Sequence, residues 1–204
     1  MIRTFITDDH KIIRLGLATL FASEEGFTCV GEAESGTEAI KKVKAAKPDV
    51  VIMDLLMPGT DGATATAEIL TTNPNTHIVL LTSASSSNAI NEALDAGAIG
   101  AVLKSDDDQE LLTAVRQAAA GIRYLSPQIK ALLENDPPIP KLTPRQKEVL
   151  ESLTRGLTNA DIARQLGLCE TRVVQHVNAL FTKIGAANRT EAVSIALRKQ
   201  LLKI

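Results

Sequence analysis

Apolar positions along this chain follow two periods. Ile2–Thr7, Thr28–Glu32, Val50–Met53, Ile78–Thr82 and Ala101–Leu103 are short apolar runs and read as β-strands. Between them, apolar residues return every three or four positions. His10–Ser23 places them at 13, 17, 20 and 21, and Ser35–Ala46 turns Ala39, Ile40 and Val43 to one side. Thr60–Leu70, Ala89–Ala96 and Leu111–Ala120 complete five predicted helices, with Gly97 and Gly121 as stop signals after the last two. Five strands alternating with five helices predict an α/β fold, a doubly wound five-stranded parallel sheet covered on both faces. Ligands of such sheets bind beyond the carboxyl ends of the strands, where the strand order switches.

The pattern changes over residues 121–140. Tyr124-Leu125-Ser126-Pro127 reads as a turn, and Gln128–Glu134 has room for a short helix. Asn135-Asp136-Pro137-Pro138-Ile139-Pro140 breaks it, and three prolines in four residues form a semi-rigid extended tether. The reading is therefore a first domain at 1–120, a linker at 121–140 and a second, smaller all-α domain at 141–204. In that domain Thr143-Pro144-Arg145-Gln146 sets Thr at an N-cap, Pro in the first turn and Gln three residues after the Thr. Further helices are predicted at Thr158–Leu166, Glu170–Ile184 and Arg189–Leu202, with stops at Gly156, Gly167 and Gly185.

Composition narrows the class. Of 204 residues, 45% are hydrophobic and 23% charged, which excludes a disordered or collagen-like chain. The longest apolar runs are far too short to span a membrane, and the N-terminus shows no secretory signal. Two cysteines are too few for a disulfide framework, so a reduced, cytoplasmic setting is expected. Aromatics at 2% argue against a base-stacking platform for nucleic acid. The formal net charge of −2 conceals an asymmetry: residues 1–140 carry 11 Lys+Arg against 19 Asp+Glu, a net of −8, and residues 141–204 carry 11 against 5, a net of +6. A small basic segment after an acidic one is the electrostatic footprint of nucleic-acid contact.

The acidic half gathers chemistry at its strand ends. Asp8 and Asp9 follow the first strand, Asp54 the third, Thr82 the fourth and Lys104 the fifth. Converging carboxylates repel one another, and a divalent cation with hard oxygen ligands removes the conflict, which suits magnesium. A carboxylate beside such an ion and an ammonium group can attack a phosphoryl group, and Asp54 is the nucleophile candidate. Asp and Thr at strand ends also serve as caps and turn residues.

Residues 1–120 resemble the receiver domain of bacterial two-component response regulators. The matching pieces are Asp8-Asp9, the run from Asp54 to Gly62, Leu81-Thr82-Ser83, and Gly97 through Lys104. The resemblance implies a flavodoxin-like fold and no enzyme activity beyond the receiver's own phosphorylation and dephosphorylation. It implies that Asp54 accepts a phosphoryl group from a sensor histidine kinase. It further implies that Asp9 and Asp54 bind Mg2+ directly, with Asp8 through water and the Leu56 backbone carbonyl as a ligand, and that Thr82 and Lys104 contact the phosphoryl oxygens. Many receivers carry an aromatic three residues before the lysine; here that position is Ala101.

In the basic half, Thr158–Leu166, Gly167-Leu168-Cys169 and Glu170–Ile184 have helix-turn-helix spacing. Ile162, Ala163, Leu166, Val173, Val177 and Leu180 fall on the inward stripe. The outward face of the second helix is expected to show Thr171, Arg172, Val174, Gln175, Asn178 and Lys183, with Thr158 and Asn159 as further DNA contacts. Arg suits guanine, Gln and Asn suit adenine, and Val reaches a thymine methyl. Residues 141–204 resemble the LuxR-type DNA-binding domain, and the whole chain resembles the NarL/FixJ class. The motifs are Leu142 through Leu150, Gly156 through Ala163, Val173 through Val177, Lys183 through Ala186, and Asn188 through Ala192. The resemblance implies a transcription factor that binds double-stranded promoter DNA as a homodimer, with RNA polymerase as a further partner. It implies that the last helix makes the dimer contact; there Ala192, Ile195, Ala196 and Lys199 are expected partly outward. The family often has Lys at the position of Val174 and a second basic residue near Asn178.

Two other readings stay open. A magnesium-dependent phosphatase of the haloacid-dehalogenase type also uses an Asp after a strand, but needs a second Asp where Leu56 stands. A receiver that serves only as an unphosphorylated dimerisation module is the other, and Ala101 favours it.

Overall fold

The computed structural model describes residues 1–83, 87–139, 141–199 and 201–202. They form two compact units, Met1–Asp136 and Pro137–Ile204. Pro140, the end of the predicted tether, lies outside the described residues.

The first unit runs β1 (Ile2–Thr7), α1 (Lys11–Ser23), β2 (Phe27–Ala33), α2 (Gly36–Ala46), β3 (Val50–Met53), α3 (Gly62–Thr72), β4 (His77–Thr82), α4 (Ser87–Asp95), β5 (Gly100–Leu103), α5 (Asp108–Ala119), β6 (Tyr124–Leu125) and α6 (Pro127–Asn135). The strands pair in parallel in the order β2-β1-β3-β4-β5-β6. Alternation along each strand divides the apolar side chains between two cores. Phe5, Val51, Met53, Ile78 and Leu80 meet Ala39, Val43, Ile69 and Ile90 on one face. Ile6, Val50, Ile52, Val79 and Leu81 meet Phe21, Leu112 and Val115 on the other. Each Val, Leu, Ile, Phe or Met among them, buried fully, contributes about 1.5–3 kcal/mol. The order reverses between β1 and β3, which opens the crevice where doubly wound sheets bind ligands.

The sequence reading needs two corrections here. The sheet has six strands, not five, and residues 121–136 are part of the first unit rather than a linker. Tyr124 N donates to Ile99 O at 2.9 Å and Ser126 N to Ala101 O at 3.0 Å, satisfying backbone groups on the edge of β5. A two-residue strand is too short to show a period, so the pattern could not reveal it. Ser126 caps α6 through Ile129 N, and Ile129 is buried in the core shared with Ile90 and Ala101.

The second unit consists of α7 (Pro144–Thr154), α8 (Asn159–Leu166), α9 (Glu170–Ile184) and α10 (Arg189–Arg198). The predicted capping box of α7 is present: Gln146 N donates to Thr143 Oγ1 at 3.2 Å and Thr143 N to Gln146 Oε1 at 3.0 Å. Thr158 and Asp161 form a second one on α8. Between α8 and α9, Gly167 adopts φ +64°, a left-handed conformation that L side chains rarely take, and so sets the turn. Ile162, Ala163, Val173, Val177 and Leu180 are buried together as expected, and Leu166 packs partly buried against them. The prediction for α10 is corrected: Ala192, Ile195, Ala196 and Lys199 all face inward. Its exposed residues are Thr190, Glu191, Ser194, Leu197 and Arg198. The apolar Ala192, Ile195 and Ala196 pack into the core of this unit, and the Lys199 ammonium donates to Pro137 O at 2.6 Å.

Candidate functional site

The switch point of the sheet collects the acidic residues. Asp8 N donates to Ala33 O and Asp54 N to Thr7 O at 2.8 Å, which fixes both residues at adjoining strand ends. Both carboxylates are almost fully buried. Lys104 N donates to Thr82 O at 2.9 Å, so the ends of β4 and β5 are locked side by side. Lys104 Nζ reaches across to Asp8 Oδ2 at 2.6 Å and Asp54 Oδ2 at 2.8 Å. Leu56 N donates to Asp54 Oδ1 at 3.4 Å. The loop is pressed against α3: a Cβ on Gly62 would lie 2.4 Å from Asp54 O, so only glycine allows this approach.

Electrostatics follow from burial. Desolvation pushes the Asp54 carboxyl above its ordinary pKa, although the Lys104 hydrogen bond pulls it partly back. For Lys104, burial disfavours the charge, but the hydrogen bonds to Asp54 and Asp8 outweigh it and raise its pKa. Asp8, Asp9 and Asp54 against one ammonium leave an excess of two negative charges, which matches a divalent cation. Asp9 Oδ1 is buried without a hydrogen-bond partner, as an oxygen reserved for a cation is. Asp8, Asp9, His10 and Asp54 offer ligand atoms within 4.8 Å of one another. The three carboxylates of this donor set are hard oxygen ligands of the kind that magnesium takes.

The structure thus brings together Asp8, Asp9, Asp54 and Lys104, with Thr82 buried at the adjoining strand end. Sequence reasoning missed Arg14. Its guanidinium is buried beneath α1 and donates to Asp8 O at 2.8 Å, with Glu32 Oε2 at 3.5 Å. The signal was available, since Arg14 sits beside Ile13 on the inward stripe of α1, where a cation must have a partner. His10 was also missed; it immediately follows the acidic pair and places Nδ1 against Asp9.

In the second unit, Thr171, Arg172, Val174, Gln175 and Asn178 are exposed along α9, as expected, and Thr182 extends the same face. Thr158 is exposed but serves as the N-cap of α8, and Asn159 beside it is half-buried. Lys183 requires correction. It is half-buried, and its ammonium donates to Lys141 O at 2.8 Å and Gln146 Oε1 at 3.2 Å. Its place in the last turn carries it round toward α7, away from the exposed face. Several other cations of this unit are also engaged. Arg145, Arg155 and Arg164 pair with Glu148, Glu151 and Asp161, and Arg189 donates to Leu157 O. Arg172 is therefore the cation that α9 presents outward.

Among the described residues no helix is long and apolar enough to cross a membrane. Residues 4–116 match the response regulator receiver domain, and residues 140–196 match the bacterial regulatory proteins of the luxR family. The DNA-binding transcriptional activator DevR/DosR of Mycobacterium tuberculosis is 35% identical, covering 96% of this chain and 94% of its own. The response regulator protein VraR of Staphylococcus aureus is 31% identical, covering 99% of each. Among solved structures, the response regulator ChrA of a heme-sensing two-component system aligns at TM-score 0.57 and 33% identity over 98% of both chains. RcsB in its DNA complex aligns at TM-score 0.72 and 27% identity over 97% of this chain and 98% of RcsB. The chain belongs to the NarL/FixJ class of two-component response regulators, a receiver domain joined to a LuxR-type helix-turn-helix domain.

Proposed function

We propose that Asp54 accepts a phosphoryl group from a sensor histidine kinase, and that this controls binding of promoter DNA by α9. The observation that carries the reading is the buried Asp8–Lys104–Asp54 bridge at the switch point of the sheet. An Asp54 oxygen attacks phosphorus, the bond from phosphorus to the kinase imidazole breaks, and its electron pair stays on that nitrogen. Lys104 turns its ammonium to a phosphoryl oxygen and so follows the charge from carboxylate to phosphoryl group. The Thr82 hydroxyl at the adjoining strand end donates to another. Asp9, Asp54 and the Leu56 carbonyl would hold Mg2+, with Asp8 acting through water. When bound, the ion neutralises charge on the phosphoryl oxygens.

In the second unit α9 lies in the major groove, with Gln175 and Asn178 directed at bases, Val174 at a thymine methyl and Arg172 at the phosphate backbone. Thr158 and Asn159 at the start of α8 approach the backbone, because helix N-termini favour phosphate. The chain acts in the cytoplasm as a homodimer and engages RNA polymerase at its promoters. Two RcsB dimers bound to DNA, in a relative of the same class, support the dimer.

Incubating the full chain with a small-molecule phosphodonor and Mg2+, then weighing it intact, tests the acceptor. A single phosphoryl increment absent from Asp54→Asn is expected. Selection from a random duplex library, before and after phosphorylation, tests the DNA half. No adduct would leave the first unit as an unphosphorylated interaction module.

A further inference from the structure

The imidazole of His10 borders the acidic site, and no step above uses it. His10 is the residue before α1, and its backbone N donates to Asp8 Oδ1 at 2.8 Å. That bond fixes its Cα at the rim. Its Nδ1 lies 2.8 Å from Asp9 Oδ1 and 3.3 Å from Asp8 Oδ1. Yet Asp9 Oδ1 accepts no hydrogen bond, so the short approach is not aligned as N–H···O. Two potential ligand atoms held this close have the spacing of neighbouring ligands on one ion. With ligands at about 2.1 Å in octahedral geometry, right-angle neighbours lie about 3.0 Å apart. An Asp54 oxygen completes the group within 4.8 Å.

We propose that His10 Nδ1 is a direct ligand of the divalent cation and tilts the site from Mg2+ toward a first-row transition cation such as Mn2+. The proposal rests on the reading of the acidic cluster as a cation site. Mg2+ is a hard ion that takes oxygen ligands and retains water, and it gains little from an imidazole. First-row transition ions accept imidazole nitrogen readily. A site of carboxylates alone would discriminate weakly between the two, whereas one nitrogen ligand separates them.

The test uses the tag-free full chain, stripped of metal, with Mn2+ as the probe. Free Mn2+ is followed by its electron paramagnetic resonance signal, Mg2+ binding by competition, and the ligand sphere by pulsed measurement of 14N coupling. In the wild type, bound Mn2+ should show coupling to one 14N. His10→Ala should abolish the coupling, weaken Mn2+ by about tenfold and change Mg2+ by less than about twofold. The exposed His10 side chain makes misfolding of this variant easy to exclude by circular dichroism. Bound Mn2+ that is lost in Asp9→Asn but shows no 14N coupling in the wild type overturns the His10 assignment alone. Equal losses for Mn2+ and Mg2+ in His10→Ala do the same. Mn2+ that fails to bind, or binds equally to Asp9→Asn, overturns the cation site and the proposal together.

Discussion

Lys104→Met isolates the role of the bridging ammonium. Asp8 and Asp54 side chains are 2% and 3% exposed, and Lys104 itself 14%. Removing one partner of a buried ionic group costs about 3–5 kcal/mol, because the remaining charges stay desolvated. The loss is capped, since one carboxyl can take up a proton instead. That uptake costs about 1.4 kcal/mol per pH unit above a free pKa of about 3.9, hence about 4 kcal/mol at pH 7 and about 1.5 kcal/mol at pH 5. In the variant the folded-state carboxyl pKa lies above the unfolded value. Its penalty is therefore full above the folded pKa and fades as pH falls through it. A loss of about 3 kcal/mol at neutral pH lowers the melting temperature of a unit this size by about 10 °C. The chain has a single tyrosine, Tyr124, and no tryptophan, so tyrosine emission reports the first unit alone. Mg2+ should stabilise the variant more than the wild type, because no ammonium competes for the carboxylates. A gap under about 1 kcal/mol at pH 7, or one that does not narrow at pH 5, would refute the account.

Tyr124 itself offers a second measurement. Its hydroxyl donates to Glu110 Oε2 at 2.6 Å, and chiefly through that bond its pKa is pushed up to about 12. Absorbance of the phenolate should show a midpoint near that value; one near the free value of about 10 would mean that β6 is not held against α5. The folded form keeps its proton longer, so this contribution is complete below the unfolded pKa and disappears as pH rises through the folded one. On the DNA side, Arg172→Ala should shallow the dependence of log affinity on log salt by about one unit, whereas Lys183→Ala should leave the slope intact. Lys183→Ala should instead destabilise the second unit by about 1 kcal/mol, measured by far-ultraviolet melting; equal slopes for both losses would return Lys183 to the interface. Ile129→Ala should cost about 2–4 kcal/mol and speed proteolysis within 127–135. Unchanged cleavage would show that α6 is not anchored by that side chain.

What could be read from the sequence divides along physical lines. The strands that lead to Asp54 and Thr82 are bounded nearly to the residue, because a strand buried on both faces is a continuous apolar run. The site follows from topology: once five such strands are parallel, their carboxyl ends share an edge, and spacing alone brings Asp54 near Asp8. The capping box at Thr143 was legible because both its residues are local. Illegible were contacts made across long separations by side chains with two plausible destinations. Lys183 and Lys199 read as solvent-facing cations, and both reach backbone carbonyls instead. Arg14 is legible as a charge on an apolar stripe, but its partner, a carbonyl in the strand end before the helix, is not. β6 was hidden by its length.

The same segment that the sequence left as a linker accounts for Ala101. Ala101 is fully buried on β5, and its carbonyl accepts Ser126 N. The core that holds it also contains Ile129, with Leu125 and Leu132 packed alongside. This edge is therefore covered by side chains from the segment that follows, not by a ring from β5 itself. An aromatic in the same place would have to displace them, and close-packed cores resist added volume. Ser87, at the start of α4, donates to Asp136 Oδ2 at 3.1 Å, one residue before the second unit begins. The volume that a ring would take at position 101 is thus filled by Leu125 and α6, and the residue that ends α6, Asp136, is the one that Ser87 ties to α4.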